Sequence, residues 1–278
     1  CSVTASISIC IRCIPASSCG RRRSVKRSSH SKTATPITAN IGGLLGDTVG
    51  VAQYLGFTVC DTTIQGVEEG YTVTAAKDYG AGGIGWAVGG DVYDVELKRL
   101  QSVKAENHAG GFVGATGPGD LVNGNGIDLQ LLGISLLKID NLLSLVSGVR
   151  TTYKKANVTG IDTGCEIVET GERTGGDQTN YIAGGWAAEA NSVRVVDCHT
   201  KNLHSVTANM NDGFAGGFVG SSSAGGLAGL AEKGNAGGLL SLEDLVNAVP
   251  YLVPSYDGCT VHYVDGGFVK GDTAGGFT

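Results

Sequence analysis

One short phrase recurs along the chain and restricts what it can fold into: Ala-Gly-Gly followed by an aromatic or aliphatic residue. It occurs at Ala81-Gly82-Gly83-Ile84, Ala109-Gly110-Gly111-Phe112, Ala183-Gly184-Gly185-Trp186, Ala215-Gly216-Gly217-Phe218 and Ala274-Gly275-Gly276-Phe277. Variants stand at Ile41-Gly42-Gly43-Leu44 and Asp265-Gly266-Gly267-Phe268. The five copies begin 28, 74, 32 and 59 residues apart, so two intervals are near 30 and two are lengthened by insertions. A period near 30 made of short alternating stretches and paired glycines predicts a stack of coils, each too small to bury a face until its neighbour covers it.

The flanks repeat as well. Thr72-Val73-Thr74-Ala75, Ser102-Val103-Lys104-Ala105 and Ser205-Val206-Thr207-Ala208 precede three of the phrases, and their alternation reads as strand with one face in and one face out. The paired glycines are expected to supply positive φ and close backbone approach at a corner. The large residue after them is expected to point inward and stack on its counterpart, which puts Trp86 and Trp186 with Phe112, Phe218 and Phe268 in the core. Cys60, Cys165, Cys198 and Cys259 read as one inward position in four repeats, with valine there at Val95; small buried thiols explain all four, and two facing sulfurs could be bridged.

Composition sets the class. Glycine is 46 of 278 residues against 5 prolines, which excludes collagen and proline-rich linkers, and 41% apolar residues can build a core. The net charge of −6 combines seven cations and no acid in residues 1–40 with −13 in the remainder. An acidic body argues against nucleic acid as a partner. Residues 1–40, with the run Arg21–Arg23, Lys26 and Arg27, read as a disordered solvated tail or a non-native segment. No run reaches the length of a membrane-spanning helix, and no signal peptide is legible, so the chain is expected to start inside a longer protein.

Two insertions, at about 120–150 and 236–254, break the β pattern. Leu129, Leu132, Leu136, Ile139, Leu143 and Val146 follow helical spacing, and Leu239, Leu242, Val246, Val249 and Val253 repeat it. Both stripes predict helices packed alongside the stack.

The phrases at 109–114 and 215–220, with the cysteine-centred strands and the Ser-Val-x-Ala segments, resemble GLUG-type repeats of Gram-positive, often gut-dwelling, bacterial surface proteins. The resemblance covers roughly residues 41–278. It implies a β-solenoid on the cell exterior acting as a stalk or adhesive surface.

Chemistry-bearing motifs are sparse. The Cys10-Ile11-Arg12-Cys13 pair, with Cys1, Cys19 and His30 nearby, lacks the second ligand pair that zinc needs. His108, His199, His204 and His262 fall in different repeats, and no H-E-x-x-H, G-x-S-x-G or Walker pattern occurs. Asp91, Asp94 and Glu96, Glu166 and Glu169, and Asp61 are expected on outward, solvated faces. Tyr79, Tyr93, Tyr153 and Tyr181 are the tyrosines expected to be exposed.

The sequence therefore predicts an all-β repeat, a right-handed parallel β-solenoid over 41–278 with two helical insertions. Its structural positions are Gly82, Gly83, Gly110, Gly111, Phe112, Gly184, Gly185, Trp186, Gly216, Gly217, Phe218, Gly275, Gly276, Phe277 and the four cysteines. No catalytic residue, metal or cofactor is expected. The predicted role is a structural or adhesive segment of an extracellular bacterial surface protein. The alternatives are a self-assembling fibre subunit and a carbohydrate-active β-helix enzyme. The expected partners are neighbouring repeats or further copies end to end, with a host glycan or protein as the other candidate.

Overall fold

Alternation of β-branched with polar residues, punctuated by glycine and aspartate, makes every described element of this chain a strand. The computed structural model describes residues 41–49, 57–76, 78–118, 150–171, 181–224 and 253–277, and the fragments 6–7, 10–11, 25–26, 122–123 and 126–127. The fold is all-β, with no helix among the described residues, and apart from three two-residue antiparallel pairings its strands pair in parallel.

The chain makes successive circuits, each visiting four faces. The first face holds Phe57–Gln65, then 90–98 of the long strand Gly90–Ala105, Thr151–Gly160, Val193–Val196 and Ser255–Asp257. The second holds Tyr71–Ala75, then 100–105, Cys165–Glu169, 203–207 and 268–270. The third face is a six-stranded sheet from Ile41–Gly42 to Thr273–Gly275, and the fourth a five-stranded sheet from Leu45–Val49 to Val219–Ser223. Five circuits are described (57–88, 90–117, 151–191, 193–223 and 255–275), preceded by 41–49 on the third and fourth faces. This arrangement is compatible with the expected β-helix.

Inside, equivalent residues stack in columns. Val59, Val92, Tyr153, Val195 and Tyr256 form one on the first face, and Val73, Val103, Ile167, Val206 and Val269 one on the second. The alternation read in the sequence holds there: in Val193-Arg194-Val195 and in Val73-Thr74-Ala75 the middle residue is exposed and its neighbours are buried.

The corners do not all repeat with each circuit. Circuits two and four turn from the first to the second face on one residue, Arg99 or Asn202, each with positive φ (63° and 54°). Circuits one and three spend 66–70 and 161–164 there, and the fifth takes five residues from Tyr263 to Phe268 where the fourth takes two from Leu203 to Ser205. The return from the fourth face to the first alternates in the opposite phase. It is a single residue at Gly89 (φ 69°) and Ser192 (φ 48°), but 118–150 and 224–254 after circuits two and four. Arg99 and Asn202, Gly89 and Ser192, and Thr152 and Ser255 are three equivalent pairs, each 103 residues apart. The structural period is two circuits.

Arg150 clasps this edge. Its guanidinium donates to Val193 O (2.8 Å), Val253 O (2.6 Å) and Ser255 Oγ (2.9 Å), so one side chain ties circuits three, four and five where the long connections re-enter.

The helices expected over Leu129–Val146 and Leu239–Val249 lie outside the described residues. Of the first insertion, Val122–Asn123 pairs antiparallel with Gly126–Ile127. Val253 is described and exposed. In residues 1–40 the described pieces are Ser6–Ile7, antiparallel to Val25–Lys26, and Cys10–Ile11, antiparallel to Phe57–Gln65. The remainder of the expected disordered tail lies outside the described residues.

Candidate functional site

The glycine phrases sit where the third face turns into the fourth, and they work by proximity. None of the glycines in the five Ala-Gly-Gly copies has a positive φ, which corrects half of the expectation; in the variant at 265–268, Gly266 does (φ 76°). A Cβ on Gly110, Gly184 or Gly216 would overlap the carbonyl of Val113, Ala187 or Val219 in its own corner. One on Gly111, Gly185 or Gly217 would overlap the carbonyl of Gly185, Gly217 or Gly276 in the next circuit. The left-handed conformation falls instead to Asp61, Asp94, Lys155, Asp197 and Gly258, a bend in the middle of the first face (φ 48–64°). Aspartate tolerates it better than most residues.

The first copy of the phrase is one residue out of step. Ala81 pairs with Gly110 and with Gly42, and Ile84 pairs with Val113. Gly83 therefore occupies the position of Phe112, and Ile84 that of the following valine. The aromatic column begins at Phe112 and continues through Trp186 and Phe218 to Phe277, with ring centroids 5.7, 5.3 and 4.8 Å apart and planes within 13° of parallel. Tyr153 meets Phe112 and Trp186 edge-on, and Tyr256 meets Phe218 and Phe277. Such contacts contribute about 0.5–1.5 kcal/mol each beyond area burial. Trp186 Nε1 donates to Ala156 O (2.8 Å) and Tyr153 Oη to Thr116 Oγ1 (2.8 Å), so both polar tips are satisfied inside.

Three expectations change here. Tyr153 and Tyr181 are buried, not exposed. Trp86 is not in the column; it lies on the outer side of the fourth face, half-buried and nearly parallel to Tyr79 (6.2 Å). Phe268 is also outward, on the second face, because it pairs with Ser205. The parity of a strand decides each case, and the residue after two glycines is a poor guide to parity when a neighbouring corner has a different length.

The cysteines occupy three positions, not one. Cys198 and Cys259 are equivalent, one before the paired residues His199 and Thr260, and they align with Thr62, Val95 and Ala156. Cys60 sits two residues earlier and pairs with Tyr93; Cys165 begins a second-face strand and pairs with Leu203. All four are free thiols. Burial pushes the Cys165 and Cys198 thiols up to about 12, so they are inert as nucleophiles.

Outward polar groups gather in two places. On the third and fourth faces His108 Nε2 lies 3.3 Å from Glu189 Oε2, with Tyr79 against the imidazole (4.8 Å) and Asn191 donating to Glu189 Oε1 (2.6 Å). The hydrogen bond from His108 holds the Glu189 carboxyl below its usual range. On the second face an open pocket of about 570 Å³ crosses circuits one to four, lined by Thr72, Gln101, Lys104, Thr163, Glu166 and His204 among others. Ser102 Oγ donates to Thr72 Oγ1 (3.2 Å), which donates to Gln101 Oε1 (3.1 Å). One wall of the pocket is the long corner 161–164, and the floor is the second-face strand of circuit two at Gln101, Ser102 and Lys104. Sequence reasoning missed this site, whose only signal was the unequal spacing between strands.

The expected outward acids divide. Asp94 and Glu166 are exposed, whereas Glu169 is 4% exposed in the inward column of Ala75 and Ala105. Its carboxylate accepts from the backbone N–H of Gly171 and of Asn209, joining circuits three and four, and burial raises it to about 7. No group of three or more His, Cys, Asp or Glu able to hold a metal occurs among the described residues. No described helix is long and apolar enough to cross a membrane.

No family model, curated protein or solved structure matches this chain.

Proposed function

We propose that this chain is a segment of a right-handed parallel β-solenoid on the exterior of a bacterial cell, a stalk with an adhesive side. The carrying observation is the unbroken inward column from Phe112 to Phe277, in which each ring covers the one before it. Such a core is built for extension, since every circuit completes its neighbour and offers the same face again. The resemblance of the phrases at 109–114 and 215–220 to GLUG-type repeats supplies the location. The leucine stripes at 129–146 and 239–253 fit helices that leave and re-enter at one edge every second circuit. Strand spacing makes two circuits about 9.6 Å, inside the roughly 8–10 Å separation of packed helices.

The enzyme alternative has little to stand on. Glycoside hydrolysis needs two carboxylates across a cleft, and Glu166 is the single carboxylate lining the second-face pocket among the described residues. The fibre alternative rests on the same stacking, since a circuit that offers its neighbour an equivalent face can meet that face on another copy.

Antibody labelling of intact source cells tests the reading; unlabelled surfaces with a labelled lysate would sink it. Negative-stain microscopy over a concentration series separates the two structural roles. Particles of constant size support the stalk, and rods that lengthen with concentration transfer the role to fibre assembly.

A further inference from the structure

The second-face pocket carries a ligand assignment. We propose that it binds a neutral oligosaccharide lying along the stacking direction. This deepens the adhesive half of the function proposed above.

The pocket follows from the two-circuit period. The turn 161–164 of circuit three projects beside circuit two, which turns on the single residue Arg99. The wall is held in place. Arg99 donates to Val67 O (2.8 Å) and to Glu68 O, Ile161 packs against the position of Gly70, and Gly164 against His204. Along this wall lie polar groups that the fold does not use. The side chains of Lys104, Thr163 and Glu166 make no hydrogen bond or ion pair among the described residues. The imidazole of His204 has one ring contact, with Phe268 at 5.9 Å. The Thr72 hydrogen bond occupies the carbonyl end of Gln101 and leaves its amide N–H groups unspent.

The lining selects the ligand. A peptide adding as a strand needs a free sheet edge, and the second-face strands of circuits two to four are paired on both sides. An anion would find one ammonium, Lys104, beside one carboxylate, Glu166, on a body of net −13. An apolar ligand would bury these groups without partners. Sugar hydroxyls both donate and accept, and so match a mixture of ammonium, amide, hydroxyl, imidazole and carboxylate. The volume lies within the range of small-ligand sites. A projecting turn recurs at Tyr263–Phe268, two circuits beyond 161–164. Phe268, 45% exposed, offers an aromatic surface there for a sugar C–H face. A linear polymer would meet such turns at intervals of about 9.6 Å, twice the strand spacing.

The test titrates the full 278-residue chain with N-acetylchitotetraose, cellotetraose and mannotetraose, and with a heparin tetrasaccharide as the anionic comparison. Saturation-transfer NMR and calorimetry read binding. At least one neutral tetrasaccharide is expected to bind, more tightly than the heparin fragment. The Lys104→Ala/Glu166→Ala double variant is expected to weaken it about tenfold or more, a loss of about 1.4 kcal/mol. Both side chains are exposed, and an unchanged circular-dichroism spectrum certifies the fold. Should the double variant misfold, Lys104→Gln and Glu166→Gln take its place, with the same loss expected of each. Silence from all three neutral sugars, equal binding by the variants, or preference for heparin overturns the proposal. These outcomes stand apart from cell labelling: labelled cells with no sugar bound remove the groove and leave the stalk, and unlabelled cells with sugar bound do the reverse.

Discussion

The corner between the third and fourth faces and the corner between the first and second are built on opposite rules. The former is nearly the same in circuits two to four, with two glycines against carbonyls and a ring stacked inside, and the ring continues in circuit five at Phe277. The latter alternates between one residue and a projecting turn. A corner that supports the core must match its neighbour at every rung, because rungs are only about 4.8 Å apart and a mismatch leaves a cavity or a clash. A corner that faces solvent has no such obligation. A projecting turn is thicker than one rung, so it fits only when the next circuit stays flush. Uniform inside and alternating outside is the result, and the alternation makes the groove.

The sharpest way to break the comparison is between the two tryptophans. Trp186→Ala removes a fully buried ring and the Nε1 donor to Ala156, and is expected to cost about 3–5 kcal/mol in denaturant unfolding. Trp86→Ala, on the outer side, is expected to cost less than half as much; equal losses would mean that the column is not the core. The glycines give a second pair. Gly185→Ala forces a methyl into the carbonyl of Gly217 and is expected to cost about 3 kcal/mol, at the upper end of overpacking. Gly266→Ala, at φ 76° with open space around it, is expected to cost about 1 kcal/mol from backbone strain alone.

Arg150→Ala cuts the clasp across circuits three to five and strands the buried carbonyl of Val193, an expected loss of about 2 kcal/mol. Hydrogen exchange is expected to quicken at Val193 to Val196 and Ser255 to Asp257 first, and uniform quickening would argue that the edge is not a local tie.

A further effect is one of pH. Burial raises the folded Glu169 carboxyl to about 7, above the 4.5 usual for a glutamate, so the folded state binds its proton more tightly than the unfolded chain. Its contribution is present in full below about pH 4.5 and is lost as pH rises towards 7, by up to about 1.4 kcal/mol per unit. Glu169→Gln is expected to flatten stability across that window, and an unchanged slope would assign the pH dependence elsewhere.

Much of this plan is legible in the sequence. The Ser-Val-x-Ala segments do align, at Thr72, Ser102 and Ser205, because Val73, Val103 and Val206 share one inward column. Phe112, Trp186, Phe218 and Phe277 stack as their phrases suggested. Where reading by phrase failed, it failed by register. Gly83 and Ile84 are one step out, Cys60 and Cys165 leave the position of Cys198, and Tyr153 turns inward. A strand reverses its faces with a shift of one residue, and composition carries no record of that shift.

Local chemistry alone determined that this chain forms short strands, that glycine sits where backbones touch, and that equivalent large residues cover one another. These follow from propensity and from the inability of a single circuit to bury its own face. Only the tertiary structure decided which side each residue takes, that circuits alternate in pairs, and that Lys104, Glu166 and His204 line one groove. Those outcomes depend on how many residues each corner spends relative to the corner above and below it, a relation between distant segments that exists only once the circuits are stacked.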